Sequence, residues 1–574
     1  MSKVRVAIRA IAVTSALLLA SCGGGGGGGG GGTTVTPPVP VAVVPPTTGE
    51  AARFLTQATF GPTDASIASV RSGTYDSWLA AQVALAPSSS HLTYVETRLT
   101  ALQVANPAAQ LNATHFYESF WLQAATGPDE LRQRVKLALS EIFVISLLDA
   151  NIDVRGAASY YDMLGANAFG NYRTLLELVT LHPMMGIYLT HLGNQKEDLT
   201  TGRHPDENYA REVMQLMSVG LYQLNNDGTQ KTSGGAPIAT YTSDDISGLA
   251  KVFTGFSWYS AAPSNTTTFF GRNRVPDSYV RSMIAYPFYH SVTSKSFLGV
   301  TIPANATADP AGDLKIALDT IFNHPNVGPF IGKQLIQRLV TSNPSAAYVG
   351  RVASVFNNNG VGVRGDMAAV VKAILTDPEA RDATALSATT AGKVREPMVR
   401  MTNWMRAFGA RSTTGNWLLG STSGNTSLGQ SALASPSVFN FFRPGYSPPN
   451  TKIGNANLVA PEFQLVDEVT VAGYLNTMQS TITTGIGTAT DVSSTYASEV
   501  AIANDAVALV DRVNLLLMYG SMSAGLKTRI VDAVNGVAIP GGTATAAQIS
   551  AAQLNRAKLA VFLTMASPEY LTQR

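Results

Sequence analysis

The chain has 574 residues, of which 40 are Lys or Arg, 38 are Asp or Glu and one is Cys, for a formal net charge of +2. A single cysteine excludes an intramolecular disulfide framework, and near-neutral charge excludes the basic field that nucleic-acid binding needs. A charged fraction of only 14% points to the Ser, Thr, Asn and Gly surface of an exported protein rather than one laced with ion pairs.

The first nine residues carry Lys3, Arg5 and Arg9 and no acid, and residues 10–20 form an apolar stretch too short to span a bilayer. That is the pattern of a signal peptide over residues 1–21. It ends in Leu19-Ala20-Ser21-Cys22, which resembles the lipobox of bacterial lipoproteins, whose cysteine receives a diacylglycerol before cleavage. The resemblance implies lipidation of Cys22, a membrane partner through that lipid, and a mature chain of 37 bases against 38 acids. Ten glycines at 23–32 and a Pro, Val and Thr stretch to residue 48 complete a linker over residues 22–49. Its first half is a coil reaching roughly 17 Å and its second a semi-rigid spacer of about 50 Å. Gly23 stands where retention in the inner membrane usually needs an aspartate, so the expected address is the outer membrane of a Gram-negative bacterium.

No second linker of this composition recurs between residues 50 and 574, which reads as one large helical domain that could divide into two lobes. Polar, glycine-rich breaks at 260–268, 411–431, 481–498 and 540–546 read as surface loops. Helical periodicity dominates the rest. Residues 129–146 follow Pro128, open with acids, and set Leu131, Val135, Leu139, Ile142, Val144 and Ile145 along one stripe. Similar patterns occupy 171–181, 206–221, 244–256, 312–322, 325–340, 344–356, 366–375, 393–408, 461–478, 505–519 and 547–565. Strand signals are confined to 267–270 and 297–302, and Asn226-Asp227-Gly228-Thr229 is a turn suited to a small hairpin after Tyr222. The expected class is mainly α, a large multi-helical domain with a minor β-hairpin or small β element.

Several blocks, in order, resemble a bacterial family known as domain of unknown function 1800. They are Ala51-Ala52-Arg53-Phe54-Leu55 through Phe60-Gly61-Pro62-Thr63, Leu131-Arg132-Gln133-Arg134-Val135, Glu207-Asn208-Tyr209-Ala210-Arg211-Glu212, Thr254-Gly255-Phe256 and Phe297-Leu298-Gly299. The resemblance runs from about Ala51 to the end and implies a fold but no reaction. Family members are often exported and encoded beside a sulfatase-like family, which implies work on the envelope or on polysaccharide. The chain departs from the family pattern at Ser291, where an acid commonly follows the histidine, at Lys251, where arginine is usual, and at Phe256, which replaces tryptophan. Had those positions formed a metal site or anion clamp, this chain would carry an altered one.

The richest stretch for chemistry runs from His204 to Met217. On a helical wheel Glu207, Asn208, Arg211, Glu212 and Gln215 share one face, and Tyr209, Ala210, Val213, Met214, Leu216 and Met217 fill the other. Such a face is ordinarily solvated, with Glu207 and Arg211 as an i,i+4 pair. Its functional reading makes a glutamate, Glu207 or Glu212, a general base, with Arg211 and Asn208 binding a carboxylate or other anionic group. His204 and Glu207, three apart, could offer a nitrogen and an oxygen to a divalent metal. Against this, His182-Pro183, His204-Pro205 and His324-Pro325 each read as a helix start with proline at the first position. His290, between Tyr289 and Lys295 and away from any such cap, is the lone candidate for acid-base chemistry, with Lys295 and Lys251 as accompanying binding cations.

Gly360-Val361-Gly362-Val363-Arg364-Gly365 fits a dinucleotide pattern without the preceding strand, and Arg364-Gly365-Asp366 is read as a loop ending in a helix cap. No nucleotide, haem, zincin or serine-hydrolase signature occurs, so the cofactor is open, and a divalent metal is conceivable without a motif to support it. Two functions follow. One is a binding or scaffold lipoprotein with a glycan or envelope-protein partner. The other is a hydrolase-like or lyase-like enzyme on an envelope polymer, with Glu207, Arg211, Glu212 and His290 in one helical cleft.

Overall fold

Most helices start where the sequence supplies a local cap. In the computed structural model, which describes residues 45–574, Thr47 and Glu50 form a capping box on helix Thr48–Ala58. Thr242 and Asp245 do the same on Ser243–Val252. Asp366 caps Met367–Thr376 and Asp505 caps Ala506–Met518, so the Arg-Gly-Asp string ends in a helix cap. The signal peptide, Cys22 and most of the linker lie outside the described residues. No helix among the described residues is long and apolar enough to cross a membrane.

The fold is mainly α, with 24 α-helices and five two-stranded antiparallel sheets among the described residues. Helices Val327–Leu339, Ala346–Asn357 and Met367–Thr376 pack in sequence, and Ala506–Met518, Ala524–Asn535 and Ala546–Met565 form a second group. One apolar core runs from Ala51 to Tyr570. Into it helix Thr48–Ala58 drives Phe54 and Leu55, each fully buried, and it carries Arg53 and Gln57 inward with them. Fully burying each such apolar side chain contributes about 1.5–3 kcal/mol.

Several expected elements are corrected by the structure. The 129–146 helix stops at Ser140, and its last apolar residues are buried as loop. The 206–221 helix shrinks to Asn208–Gln215, because Glu207 at its N-cap gives no side-chain cap. At the far end Gly220, at φ 72°, turns the chain so that Val219 and Gly220 both donate to Met214 O. Of the three His-Pro pairs only His182-Pro183 begins a helix, while His324 ends Pro310–Asn323 and His204 lies in the loop before Glu207. The 461–478 pattern breaks at Asp467, which caps a new helix, Glu468–Thr484.

Residues 267–270 form no strand, and 297–302 belongs to a hairpin of Lys295–Phe297 with Val300–Ile302. Its turn holds Leu298 at φ 47° and Gly299 at φ 79°, the mirror-image conformation that matches strand twist. The Asn226–Thr229 turn closes as expected, with Asn225 N donating to Thr229 O at 2.8 Å. Segments 411–431 and 481–498 are not separate surface loops. Asp491, 1% exposed, clasps them by accepting from Ser412 Oγ, Thr413 Oγ1 and the amides of Thr414 and Leu418 at 2.7–3.0 Å. Those bonds hold its carboxyl well below the usual range against the opposing effect of burial.

A buried ionic network ties the core together. Lys393 lies 3.0 Å from Glu462 and 3.7 Å from Glu396, and Arg338 lies 3.3 Å from Glu141. Burial, reinforced by the charge of Glu396, pushes Glu141 well above the carboxylate range. Burial acts the same way on Glu396, but Lys393, the hydrogen bonds from Glu141 and Gln430 and the charge of Arg134 together outweigh it and bring that group down to about 2. One carboxyl of the two therefore carries the charge and the other the proton.

Candidate functional site

Helix Ser243–Val252 positions the candidate residues because it packs against helix Asn208–Gln215, strand Lys295–Phe297 and helix Pro310–Asn323. Gly248 allows this approach: a Cβ there would stand 1.8 Å from Ser296 O. Directly after the helix, Gly255 at φ 78° brings the 286–290 segment so close that a Cβ would meet His290 N at 2.8 Å. Thr254-Gly255-Phe256 is thus the seat on which His290 rests.

His290 is completely buried. Its Nδ1 lies 2.7 Å from Thr254 O and its Nε2 2.9 Å from Asp313 Oδ2. Lys295 Nζ reaches the same Asp313 oxygen at 2.9 Å and also donates to Thr293 O at 3.2 Å. Both ring nitrogens of His290 are spent on protein oxygens, so it cannot exchange a proton with a substrate without breaking one of these bonds. A cavity of about 300 Å³ opens on Lys295 and Asp313 and is lined also by Ser291, Asn305, Thr307 and Asp309. His290 stands behind Asp313 rather than in that lining.

Lys251 and Ser291, the two polar departures from the family pattern, both act on Glu197. Ser291 Oγ and Thr293 Oγ1 donate to Glu197 Oε1, the former at 2.9 Å. Lys251 donates to Ser294 O at 3.1 Å, and its charge is felt at Glu197. Burial alone would raise the Glu197 carboxyl, but these bonds and the lysine bring it below its ordinary value.

The polar face of helix Asn208–Gln215 engages the other end of helix Ser243–Val252. Ser247 Oγ donates to Glu207 Oε1 at 2.5 Å, and Arg211 reaches Glu207 Oε2 at 3.3 Å with both side chains at least 40% exposed. Asn208 Nδ2 contacts Thr190 Oγ1 at 3.4 Å. Glu212 is buried with Oε2 unpartnered, and burial raises its carboxyl despite Arg211. Next to it, burial and then the Glu212 charge push the Tyr241 hydroxyl up to about 12.

The structure therefore joins His290 and Lys295 through Asp313, and Glu207 and Arg211 through Ser247. The cavity at Lys295 is lined by none of Glu207, Asn208, Arg211, Glu212 and Lys251. His204 is exposed, and no group of three or more His, Cys, Asp or Glu residues suited to a metal exists among the described residues. Asp313, the residue that organises the cluster, is absent from the sequence-derived candidates. In the sequence it is an acid in the first turn of a helix, which dipole preference alone accounts for.

Chemically the arrangement offers one ammonium, one carboxylate and several hydroxyl and amide groups around a small polar cavity, which suits recognition. A family model described as Protein of unknown function (DUF1800) matches residues 53–572. No curated protein and no solved structure matches the chain.

Proposed function

Starting from a chain that belongs to the DUF1800 family, we propose that it is an exported lipoprotein, held at the outer membrane through Cys22, whose helical domain binds an envelope glycan or protein without transforming it. The observation that carries the binding reading is His290: it is buried, and both ring nitrogens are committed to Thr254 O and Asp313. The lipobox-like Leu19-Ala20-Ser21-Cys22 and the long linker support the tether.

The test exposes the purified protein to a panel of envelope glycans and envelope proteins while following both retention and product formation. Retention without product is expected. Turnover that disappears in His290→Gln would overturn the binding reading. For the tether, Cys22→Ala should abolish fatty-acid labelling and release the protein from membranes, and continued labelling would sink it.

A hydrolase-like or lyase-like enzyme acting on an envelope polymer is the second reading. Glu212 favours it, as a buried carboxyl with a raised pKa and one unpartnered oxygen. Its test is the same panel with Glu212→Gln, which should stop turnover if that reading holds.

A further inference from the structure

We propose that the surface carrying Leu199, Phe270 and Phe288 docks on an anionic bilayer, a contact additional to the lipid on Cys22. The three side chains are 94%, 49% and 60% exposed. Large apolar groups gathered on a surface and left to water mark a place of interaction.

Tyr289 joins the two phenylalanines. Its ring centroid lies 5.0 Å from that of Phe288 and 5.6 Å from that of Phe270, and it stacks at 3.8 Å on the buried Phe269. The exposed rings are thus anchored from below. Leu199 lies in a tight turn whose base touches the same tyrosine. Lys196 N donates to Tyr289 O at 2.8 Å, Asp198 and Arg203 pair their backbones at 3.0 and 3.1 Å, and Gly202 at φ 71° closes the turn. Leu199 stands three residues beyond Lys196, a reach of at most about 11 Å.

Cations accompany these apolar groups. Lys196 Nζ lies 5.3 Å over the Phe288 ring, and Arg203 Nε donates to Lys196 O at 3.0 Å. Arg272 and Arg274 are exposed just after Phe270, with Arg274 resting 4.5 Å over the Trp258 ring. The nearby acids are engaged elsewhere: Glu197 accepts from Ser291 and Thr293, Asp198 from the amides of Thr200 and Thr201, and Asp277 pairs with Arg155. The four cations therefore stand without an ion pair among the described residues, and each is drawn to a layer of anionic headgroups. Long basic side chains lie along apolar groups with their heads in water, which suits the boundary between headgroups and acyl chains. A glycan could stack on the two rings but has no apolar interior for the aliphatic Leu199, and a protein partner would need a recess for each projecting group. Acyl chains take all three.

The test places the full-length protein on phosphatidylcholine vesicles, with and without phosphatidylglycerol, whose acyl chains carry bromine as a fluorescence quencher. Phe288→Trp should add emission that is blue-shifted and quenched when phosphatidylglycerol is present. Val104→Trp, at a position 85% exposed on helix His91–Ala105, is the control and should stay unquenched. Adding Leu199→Asp, or Lys196→Glu with Arg272→Glu, should remove the quenching of Phe288→Trp, and all these positions face water, so folding is spared. Quenching no greater than in Val104→Trp, or equal quenching without phosphatidylglycerol, overturns the proposal. So does retention on an acidic glycan that Phe288→Ala abolishes while the vesicles give no quenching, which would assign the surface to a glycan. Flotation with vesicles but no quenching sinks this contact and leaves the lipid tether standing; quenching in a protein that takes up no fatty acid does the reverse.

Discussion

Lys295 and Lys333 are both lysines beside polar cavities in one helical body, and the fold treats them in opposite ways. Lys295 is 3% exposed with Asp313 at 2.9 Å, and His290 backs the same carboxylate. Lys333 is exposed at the edge of its cavity, with neither acid nor acceptor among the described residues, so water solvates its charge. A cation whose counterion is built in stabilises the protein and has little left for a ligand. One that stays in water needs no counterion and costs the fold little.

The hardest blow to this contrast would come from Asp313→Ala. Removing the shared carboxylate leaves the buried Lys295 ammonium and His290 ring without a counterion, with only the carbonyls of Thr293 and Thr254 as partners, an expected loss of about 3–5 kcal/mol, read from the midpoint of denaturant unfolding. A loss near zero would mean that the cluster is held by something else.

Lys136 sharpens the contrast as a buried lysine whose direct partners are neutral. Its Nζ lies 2.8 Å from His91 Nε2 and 3.3 Å from Gln123 Oε1, over the Tyr161 ring. Burial lowers its pKa from 10.5 to about 8, with Asp162 and Asp129 pulling the other way. Between those two values the unfolded chain binds the proton and the folded chain does not, so stability should rise as pH rises through that window. The gain integrates to about 3 kcal/mol. Stability measured from pH 7 to 11 in the native protein and in Lys136→Met should differ by that slope, and parallel curves would refute it.

Lys333→Met comes next, with an expected stability change of at most about 1 kcal/mol in either direction, because the side chain is exposed. A denaturation midpoint that falls as far as that of Asp313→Ala would erase the distinction between the two lysines.

Local signals made part of this legible. Helices 171–181, 366–375, 505–519 and 547–565 appear within a residue or so of their periodic patterns because Asn171, Asp366, Asp505 and Thr545 cap them. The 206–221 helix was overextended because its end is set by the left-handed turn at Gly220, beneath the Phe330 ring. The candidate site was legible in halves: His290 and Lys295 are neighbours in the chain, but Asp313 joins them only through the packing of helix Pro310–Asn323. Arg53 falls only within a block that carries the family resemblance and Gln57 within no motif, and no helix is expected there from periodicity. Their burial depends on Phe54, Leu55 and everything packed against them, which no local pattern encodes.

Arg211→Ala is the smallest expected effect and bears on the most conspicuous motif. The Glu207–Arg211 contact is a single one at 3.3 Å between two side chains that are 40% and 45% exposed, so solvent screens it. Glu207 also keeps its bond from Ser247 when the arginine is lost. The stability change should therefore stay within about 0.5 kcal/mol. Ligand retention should be unaffected as well, since neither residue lines the Lys295 or the Lys333 cavity. A larger destabilisation, or a loss of retention, would mean that this exposed face meets a ligand directly and would move the binding surface from the cavities to helix Asn208–Gln215.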